Sequence, residues 1–375
     1  MAQTRTMRIG QTSQAVSCLV RPTTSIRIPL AQTRPSSSSS KTHSRPSSSA
    51  QPLTKATVPS TSSTAATSLD AVNPPPSTHP ADLSIPDPVP ASATTTTKLK
   101  RYVALGRAYL SFYKTGLKNV YHNYRTSLPL RRELGVVPIY LPVSPPGSSP
   151  KAKGTFRTAL QRTQLTRSNF QLIRRAAFDV RRMIPFSLML VVCGEFTPLI
   201  VLATGSAIVP MTCRVPAQFA KDRAKQTSRK RAALVAHAVQ ETGSVSQVVR
   251  GDAELELLAT HYASPTWVDG CSNEDVLRAC AVFGLVGTHA RPSGLVALVY
   301  RKRLRRFVEY LAIDDGLISR GGGVSAMQAV EVRRAVEERG GIELVYGVEE
   351  GWDAEREQRR WLEAWLERRR DICLH

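Results

Sequence analysis

The sequence lacks the short motifs that mark most metal sites and most enzyme classes. Its six cysteines include no CxxC pair, so neither a zinc ribbon nor a disulfide framework is indicated, and reduced cysteines packed in the interior are expected. HExxH, GxSxG, the Walker-type GxxxxGK(S/T) and a GxGxxG after a strand are absent as well. We therefore expect a protein that is not an enzyme, has no catalytic or metal-binding residues and holds no cofactor.

Acidic residues are absent from residues 1–69, the head of the chain, and the first one in the sequence is Asp70. The whole sequence has 51 lysines and arginines against 29 aspartates and glutamates, a formal net charge of +22. A head rich in Arg, Ser and Thr without a long apolar run is typical of a mitochondrial transit peptide, and a basic tail of a nuclear or cytosolic protein is the alternative. The sequence predicts a transit peptide and disordered basic head over residues 1–69, then a Ser/Thr/Pro-rich linker over 70–97.

Residues 98–182 form a basic, amphipathic region. Aromatic and apolar residues recur at three- and four-residue steps, which predicts a helix over 98–126. Its other face is cationic, so the helix is a candidate for lying on anionic lipid, although packing within its own domain explains the pattern equally well. Residues 127–150 contain six prolines and are predicted to be a connector that cannot continue the helix.

The stretch 184–211 carries a single charge, Glu195. As a helix it measures about 42 Å, longer than the roughly 30 Å of membrane hydrocarbon, and Pro198 invites a kink. We therefore predict a transmembrane span over 183–211, with a buried helical hairpin as the alternative. Both flanks are basic, so charge leaves the orientation open. Glu195 is the candidate intramembrane ion-coupling residue. The alternative is that its carboxyl is neutral and forms a hydrogen bond with the backbone group that Pro198 leaves without a helical partner.

The remainder, 212–375, has the periodicity of an all-α helical bundle. Ser272 or Asn273 is predicted to cap a helix that Gly284 ends, Ser325 with Gln328 fits a capping box, and Asp353 is expected to cap the last helix. The pair Asp314–Asp315, followed by glycine, is interpreted as a helix break with turn and capping chemistry, since no EF-hand calcium loop follows.

One basic cluster in this bundle is the candidate contact for a polyanion. Lysine and arginine on one helical face displace counterions from phosphates, although such a run is also common on a solvated surface. The candidate residues for nucleic-acid or ribosome contact are Arg301, Lys302, Arg303, Arg305 and Arg306.

Several segments together resemble the Letm family of mitochondrial inner-membrane proteins. The similar segments are Phe112–Arg125, Ile184–Phe186, the Glu195 and Pro198 span, Pro210–Pro216, Arg303–Ile318, Ala335–Gly340 and Trp361–Leu366. The resemblance implies one inner-membrane helix, a helical ribosome-binding domain in the matrix that is similar to the 14-3-3 fold, and roles in translation and cation/proton homeostasis. EF-hand ligands and leucine heptads are missing, so calcium binding and coiled-coil partners are not carried over, and the chain looks like a short, fungal-type member.

The leading functional prediction is a single-pass protein of the mitochondrial inner membrane with its C-terminal domain in the matrix. That domain is expected to bind mitochondrial ribosomes and to support translation, membrane insertion and ion homeostasis, with inner-membrane lipid as a further partner and no DNA. The alternative is a component of a K⁺/H⁺ or Ca²⁺/H⁺ exchange system, which requires a homo-oligomer or a partner membrane subunit because one helix makes no transport path. An assembly factor for respiratory complexes is a third possibility.

Overall fold

Every regular element in the described part of the chain is a helix, which confirms the all-α prediction for that part. A computed structural model describes residues 71–90, 92, 94–135, 164–193, 209–244, 248–287, 291–348 and 351–370. The long helices follow from the three- and four-residue spacing of apolar side chains, which gives each helix one face to bury.

The helices are labelled in chain order, and short helical turns connect them. The α-helices are α1 (Thr95–Glu133), α2 (Arg167–Cys193), α3 (Pro216–Thr242), α4 (Asp252–Glu256), α5 (Pro265–Gly270), α6 (Asn273–Val282), α7 (Arg301–Arg320), α8 (Ala329–Glu338) and α9 (Trp352–Arg368). A π-helical turn, Leu257–Tyr262, continues α4, and the turns Ser293–Leu295 and Val296–Tyr300 lead without a break into α7. The 3₁₀ turns are Pro76–Thr78, Met211–Cys213, Val324–Ala326 and Ile342–Leu344.

The predicted helix ends are partly right. The Ser272 hydroxyl accepts a hydrogen bond from the Asp275 N–H at 3.1 Å and caps α6, and Gly284 follows that helix with a positive φ of 67°. Ser325 instead lies in a 3₁₀ turn, and α8 starts after Gln328, so the capping box predicted there is wrong. Gly351, not Asp353, occupies the N-cap position of α9.

Two prolines lie inside long helices. Pro129 is within α1, which runs on to Glu133 although a connector was predicted from residue 127. Pro185, which falls within the predicted membrane span, lies within α2. A proline removes one backbone hydrogen bond, and that loss is tolerated when side-chain packing holds the helix on both sides. Residues 136–163, with most of the predicted connector, lie outside the described residues.

The core is centred on α6 and is closed by α7 and α9. Ala279 and Cys280 of α6, Leu311 of α7 and Trp365 of α9 are fully buried. The π-helical turn Leu257–Tyr262 adds Tyr262 to this core. Burial of these side chains removes apolar area from water and supplies most of the driving force for the bundle.

The predicted transmembrane span is not found among the described residues. It was expected over 183–211, but α2 starts at Arg167 and passes through residue 183 without interruption. Within the ranges that the structure describes, no helix combines the length and the apolar character needed to cross a membrane. Residues 194–208 of the expected span, including Glu195, lie outside the described residues.

Candidate functional site

The first half of α1 and the last part of α2 lie at the same end of the bundle. Near the C-terminal end of α1, Arg131 Nη2 donates to Ile173 O at 2.6 Å. Further back along α1, Tyr113 packs in one apolar cluster with Met183 and Phe186 of α2. Residue numbers thus fall along α1 as they rise along α2, so the two helices are antiparallel.

Large apolar side chains are exposed along both of these helix ends. Their exposed fractions run from 49% for Val103 to 79% for Val191. We call these eight side chains the apolar tip: Leu99, Tyr102, Val103 and Leu110 of α1, and Ile184, Leu188, Val191 and Val192 of α2. Many large apolar side chains exposed at one end of a domain mark a site where a membrane or another molecule binds.

The charge around the apolar tip is positive. Helix α1 carries nine lysines and arginines, and its single acidic residue is Glu133 at its last position. Lys100 and Arg107 are exposed among the tip residues of α1, and Arg181 is exposed one turn before Ile184 on α2. Apolar side chains next to lysines and arginines form the combination that binds anionic lipid surfaces.

Beyond residues 194–208 the chain returns to the base of the tip. Arg182 Nη1 donates to Val209 O at 3.2 Å, and Asp179 Oδ1 accepts from Met211 N at 2.6 Å. The sequence of 194–208 contains one charged residue, Glu195. Both ends of this apolar stretch are therefore fixed against α2.

Asp179 is the acidic group at this base. Burial raises the pKa of its carboxyl to about 6, although the hydrogen bond from the Met211 N–H and the charges of Arg334 and Arg214 oppose the rise. The side chain is only 2% exposed. This carboxyl therefore changes its charge just below neutral pH, where an exposed aspartate is already fully ionised.

The turn Met211–Cys213 lies directly on α1. The Thr212 hydroxyl donates to Gly116 O at 3.3 Å. A Cβ atom on Gly116 would come within 2.7 Å of Cys213 Sγ and 2.9 Å of Thr212 O. Only glycine allows this approach, so Gly116 fixes the position of the returning chain against α1.

A buried network of charges holds α2 on the rest of the bundle. Arg167 Nε donates to Asp314 Oδ1 at 3.0 Å, and its Nη1 donates to Glu331 Oε2 at 3.1 Å. Arg175 also reaches Glu331, at 2.8 Å. Burial alone would raise the pKa of Glu331, but Arg175, His79 and Arg167 hold it well below its usual range. These pairs fix the direction in which α2 carries its end of the apolar tip.

Asp314 and Asp315 extend this network to the last two helices. Arg339 Nη2 donates to both carboxylates, at 2.8 and 2.5 Å, and Arg369 Nε donates to Asp315 Oδ2 at 2.8 Å. Burial opposes ionisation of Asp314, but Arg167 and Arg339 outweigh it and lower its pKa. The predicted helix break at this pair is wrong: both carboxylates lie inside α7, because arginines from other elements neutralise them.

The five candidate contact residues of α7 have different surroundings. Arg301 lies against the end of α5, where its guanidinium donates to Val268 O at 2.6 Å and Cys271 O at 2.7 Å. Arg305 forms an ion pair with Asp269. Of the others, Lys302 and Arg303 are exposed and Arg306 is half-buried. Arg301 is thus a cap for a neighbouring helix, a role that the sequence did not reveal.

An open groove of about 820 Å³ lies between α3 and α6. Ala236 and Leu277 contribute apolar lining, and Glu274 and Arg278 contribute charge. Arg278 is already paired with Glu274 at 3.3 Å and with Asp275 at 2.6 Å. In the described residues no group of three His, Cys, Asp or Glu side chains has the arrangement of a metal site.

Comparison with known proteins gives one family match. A family described as the pentamidine resistance factor domain (PNT1) matches residues 96–320, from the start of α1 to the end of α7. No curated protein matches the chain. No solved structure matches it either.

The match overturns the resemblance to the Letm family. Most of the segments that suggested Letm, including Phe112–Arg125 and Arg303–Ile318, lie inside a domain of a different family. The predictions of ribosome binding and of cation/proton exchange depended on that resemblance and are wrong with it. The resemblance depended on seven short segments of basic, amphipathic or apolar sequence, and such segments lack the specificity to identify a family.

Proposed function

The chain belongs to the pentamidine resistance factor family, which is associated with mitochondria, and from this premise we propose that it is a non-enzymatic protein that docks on the mitochondrial inner membrane. The docking element is the apolar tip with its lysines and arginines. It binds the anionic lipid surface and holds the helical bundle there.

The observation that carries this proposal is the exposure of eight large apolar side chains at one end of the bundle, four on α1 and four on α2 shortly before the apolar stretch 194–208. Transfer of a Val, Leu or Ile side chain from water into an apolar phase contributes about 1.5–3 kcal/mol. Each lysine or arginine near an anionic lipid surface adds about 1 kcal/mol. The two contributions together are sufficient for stable binding where either one alone is marginal.

The charge pattern favours lipid over other anionic partners. Between Glu133 and Asp179 the sequence has no acidic residue, and the start of α1 has none either. Nucleic acid supplies phosphates but no apolar phase for Leu188 and Val191, whereas a lipid bilayer supplies both. The inner membrane is the choice within the organelle because its cardiolipin provides the anionic headgroups that basic patches bind.

Vesicle flotation tests this function directly. The full chain is mixed with phosphatidylcholine vesicles that contain or lack cardiolipin, and the floating fraction is measured. We expect flotation with cardiolipin, reduced by high salt because salt screens the exposed charges. The double variant Leu188→Asp with Val191→Asp should lower the apparent affinity at least about tenfold, since two apolar side chains no longer enter the lipid.

Val330→Asp is the matched control. Val330 is 58% exposed on α8 and is not one of the tip residues, so the same chemical change there should leave flotation unaltered. Equal flotation of the double variant and the wild-type chain would refute docking through the tip. Loss of flotation in the Val330 variant would show that the assay responds to charge anywhere on the surface.

The family description adds a link to pentamidine. Pentamidine is a dication, and a chain with a net charge of +22 is poorly suited to capture it. We propose that the protein changes drug sensitivity indirectly, through its role at the membrane. Cells that lack it should change their sensitivity to pentamidine, and the Val330→Asp chain should restore the original level whereas the tip variant should not. If both variants restore the original sensitivity, the response to the drug does not depend on the tip.

A further inference from the structure

A nine-residue segment that precedes α1, Ala71–His79, is built into the bundle. Val72 is fully buried, Thr78 is 1% exposed and Asn73 is 8% exposed. The segment lies outside the family match, which begins at residue 96. We call it the strap.

Val72 anchors the strap in an apolar cluster formed by α7, α8 and α9. Its side chain packs with Ile318, Val336 and Leu362, which come from α7, α8 and α9. Its carbonyl accepts a hydrogen bond from Arg167 Nη1 at 3.0 Å. A Cβ atom on Gly321 would collide with the Val72 side chain, so the bundle leaves room for Val72 at this point.

Asn73 pairs with the backbone that leads into α8. Its Nδ2 donates to Ala326 O at 2.9 Å, and its Oδ1 accepts from Gln328 N at 2.8 Å. Gln328 is the N-cap residue of α8, and it has no side-chain cap of its own. The strap therefore supplies a hydrogen-bond acceptor at the start of a helix, where backbone N–H groups lack intrahelical partners.

The end of the strap joins α1 and α2 to the charged network. Thr78 Oγ1 accepts from Arg175 Nη1 at 2.9 Å, and His79 Nε2 lies 2.8 Å from Glu331 Oε1. Ser77 and Asn123 of α1 exchange two hydrogen bonds, at 2.6 and 2.8 Å. Removal of the strap would therefore uncover an apolar cluster and take partners from buried charged groups at the same time.

We propose that the strap is a permanent part of the mature protein and that import processing cuts the chain on the N-terminal side of Ala71. The cut hydrolyses one peptide bond with water and leaves a new amino terminus ahead of the strap. The sequence predicts a transit peptide and disordered head over residues 1–69 but does not indicate at which residue the chain is cut. The contacts of Val72, Asn73 and Thr78 supply the limit, since a cut beyond them would open the groove that they fill.

Mass spectrometry of the protein purified from mitochondria tests the position of the cut. The expected result is an N-terminal peptide that begins after Met1 and at or before Ala71. A terminus beyond Ala71 would overturn the proposal, and so would an uncut chain that retains residues 1–70.

A second experiment tests the strap without relying on the natural protease. A recognition site for a specific protease replaces residues 84–88, where Ser84, Ile85, Asp87 and Pro88 are exposed, and the folded full chain is cut there. The N-terminal piece should then co-elute with the bundle in gel filtration under native conditions. Elution of the two pieces as separate peaks would overturn the proposal.

Two glycine variants of the same chain provide the matched comparison. Gly321→Ala places a methyl group against Val72, and it should release the cut piece or weaken its retention at least tenfold. Gly316→Ala lies five residues earlier, inside α7, with nothing within 4 Å of its new Cβ, so retention should be unchanged. Retention that is equal in both variants would show that the strap does not occupy this groove.

Discussion

Arg369 donates from its Nε to Asp315 Oδ2 at 2.8 Å, and the two side chains are almost completely buried although 54 residues separate them. Asp315 lies inside the part of the chain that matches the family, whereas Arg369 lies 49 residues beyond its end at residue 320. The carboxylate of the family domain thus finds its partner outside that domain, and the chain after residue 320 completes the fold.

Replacement of Asp315 by alanine should destabilise the bundle strongly. Arg339 and Arg369 would both lose a buried partner, and removal of one member of a buried pair costs about 3–5 kcal/mol. Chemical denaturation followed by circular dichroism measures the change. Asp353→Ala is the control, because its contact with Arg356 is exposed and should be of little consequence. Equal stability of the two variants would contradict the importance of the network.

Asp179→Asn should alter the pH dependence of stability. The carboxyl has an ordinary pKa of 3.8 and a pKa of about 6 in the fold. Between these values the folded chain binds more protons than the unfolded chain, so Asp179 lowers stability as pH rises. Asparagine keeps an oxygen that accepts from Met211 N and does not titrate. The stability of the variant relative to wild type should therefore rise by up to about 3 kcal/mol between about pH 4 and pH 7.

Urea denaturation at a series of pH values measures that difference. If the stability of the variant relative to wild type stays constant or falls as pH rises, the pKa of Asp179 is not raised in the folded chain.

Gly116→Ala should loosen the return of the chain onto α1. The new Cβ would crowd Thr212 O and Cys213 Sγ, and overpacking of this kind costs about 1–3 kcal/mol. Gly106→Ala is the matched control in the same helix, with nothing within 4 Å, and it should stabilise by about 0.5–1 kcal/mol through helix propensity. Thermal unfolding measures the change in stability of each variant. A change of the same sign in both variants would contradict the close approach of the turn Met211–Cys213 to Gly116.

Arg301→Ala should destabilise the bundle, although Arg301 lies in a basic run that looks like a binding surface. Its guanidinium caps the end of α5, and a hydrogen bond to a charged group contributes about 1.5–3 kcal/mol. Lys302→Ala changes an exposed neighbour and should stay within about 0.5 kcal/mol of wild type. The urea midpoints of both variants measure the change. An unchanged midpoint for Arg301→Ala would show that Arg301 does not stabilise the end of α5.

The helical class of the protein could be predicted from the sequence because it depends on local periodicity. The spacing of apolar residues in α1 and α7, and the cap at Ser272, are signals contained within a few residues. The same local reading failed at Asp314 and Asp315. A pair of acids followed by glycine looks like a break when its neighbours in space are unknown.

The family could not be identified from the motifs, since a basic amphipathic helix next to an apolar stretch occurs in unrelated proteins. Only part of the apolar tip could be predicted from the sequence. Leu188 and Val191 stood out as apolar, but their exposure beside α1 follows from the antiparallel packing of two helices that are distant in sequence.

The sequence by itself determined that this chain forms helices, that it is strongly basic, and that acidic residues are absent from its head, because these properties depend on residue types and their local spacing. Only the tertiary structure decided that Asp314 and Asp315 are core residues, that Arg301 caps α5, and that Ala71–His79 fills a groove between helices. Each of these outcomes requires partners 24 to 255 residues away, and burial makes the pairing of charges and backbone groups obligatory at that distance in sequence.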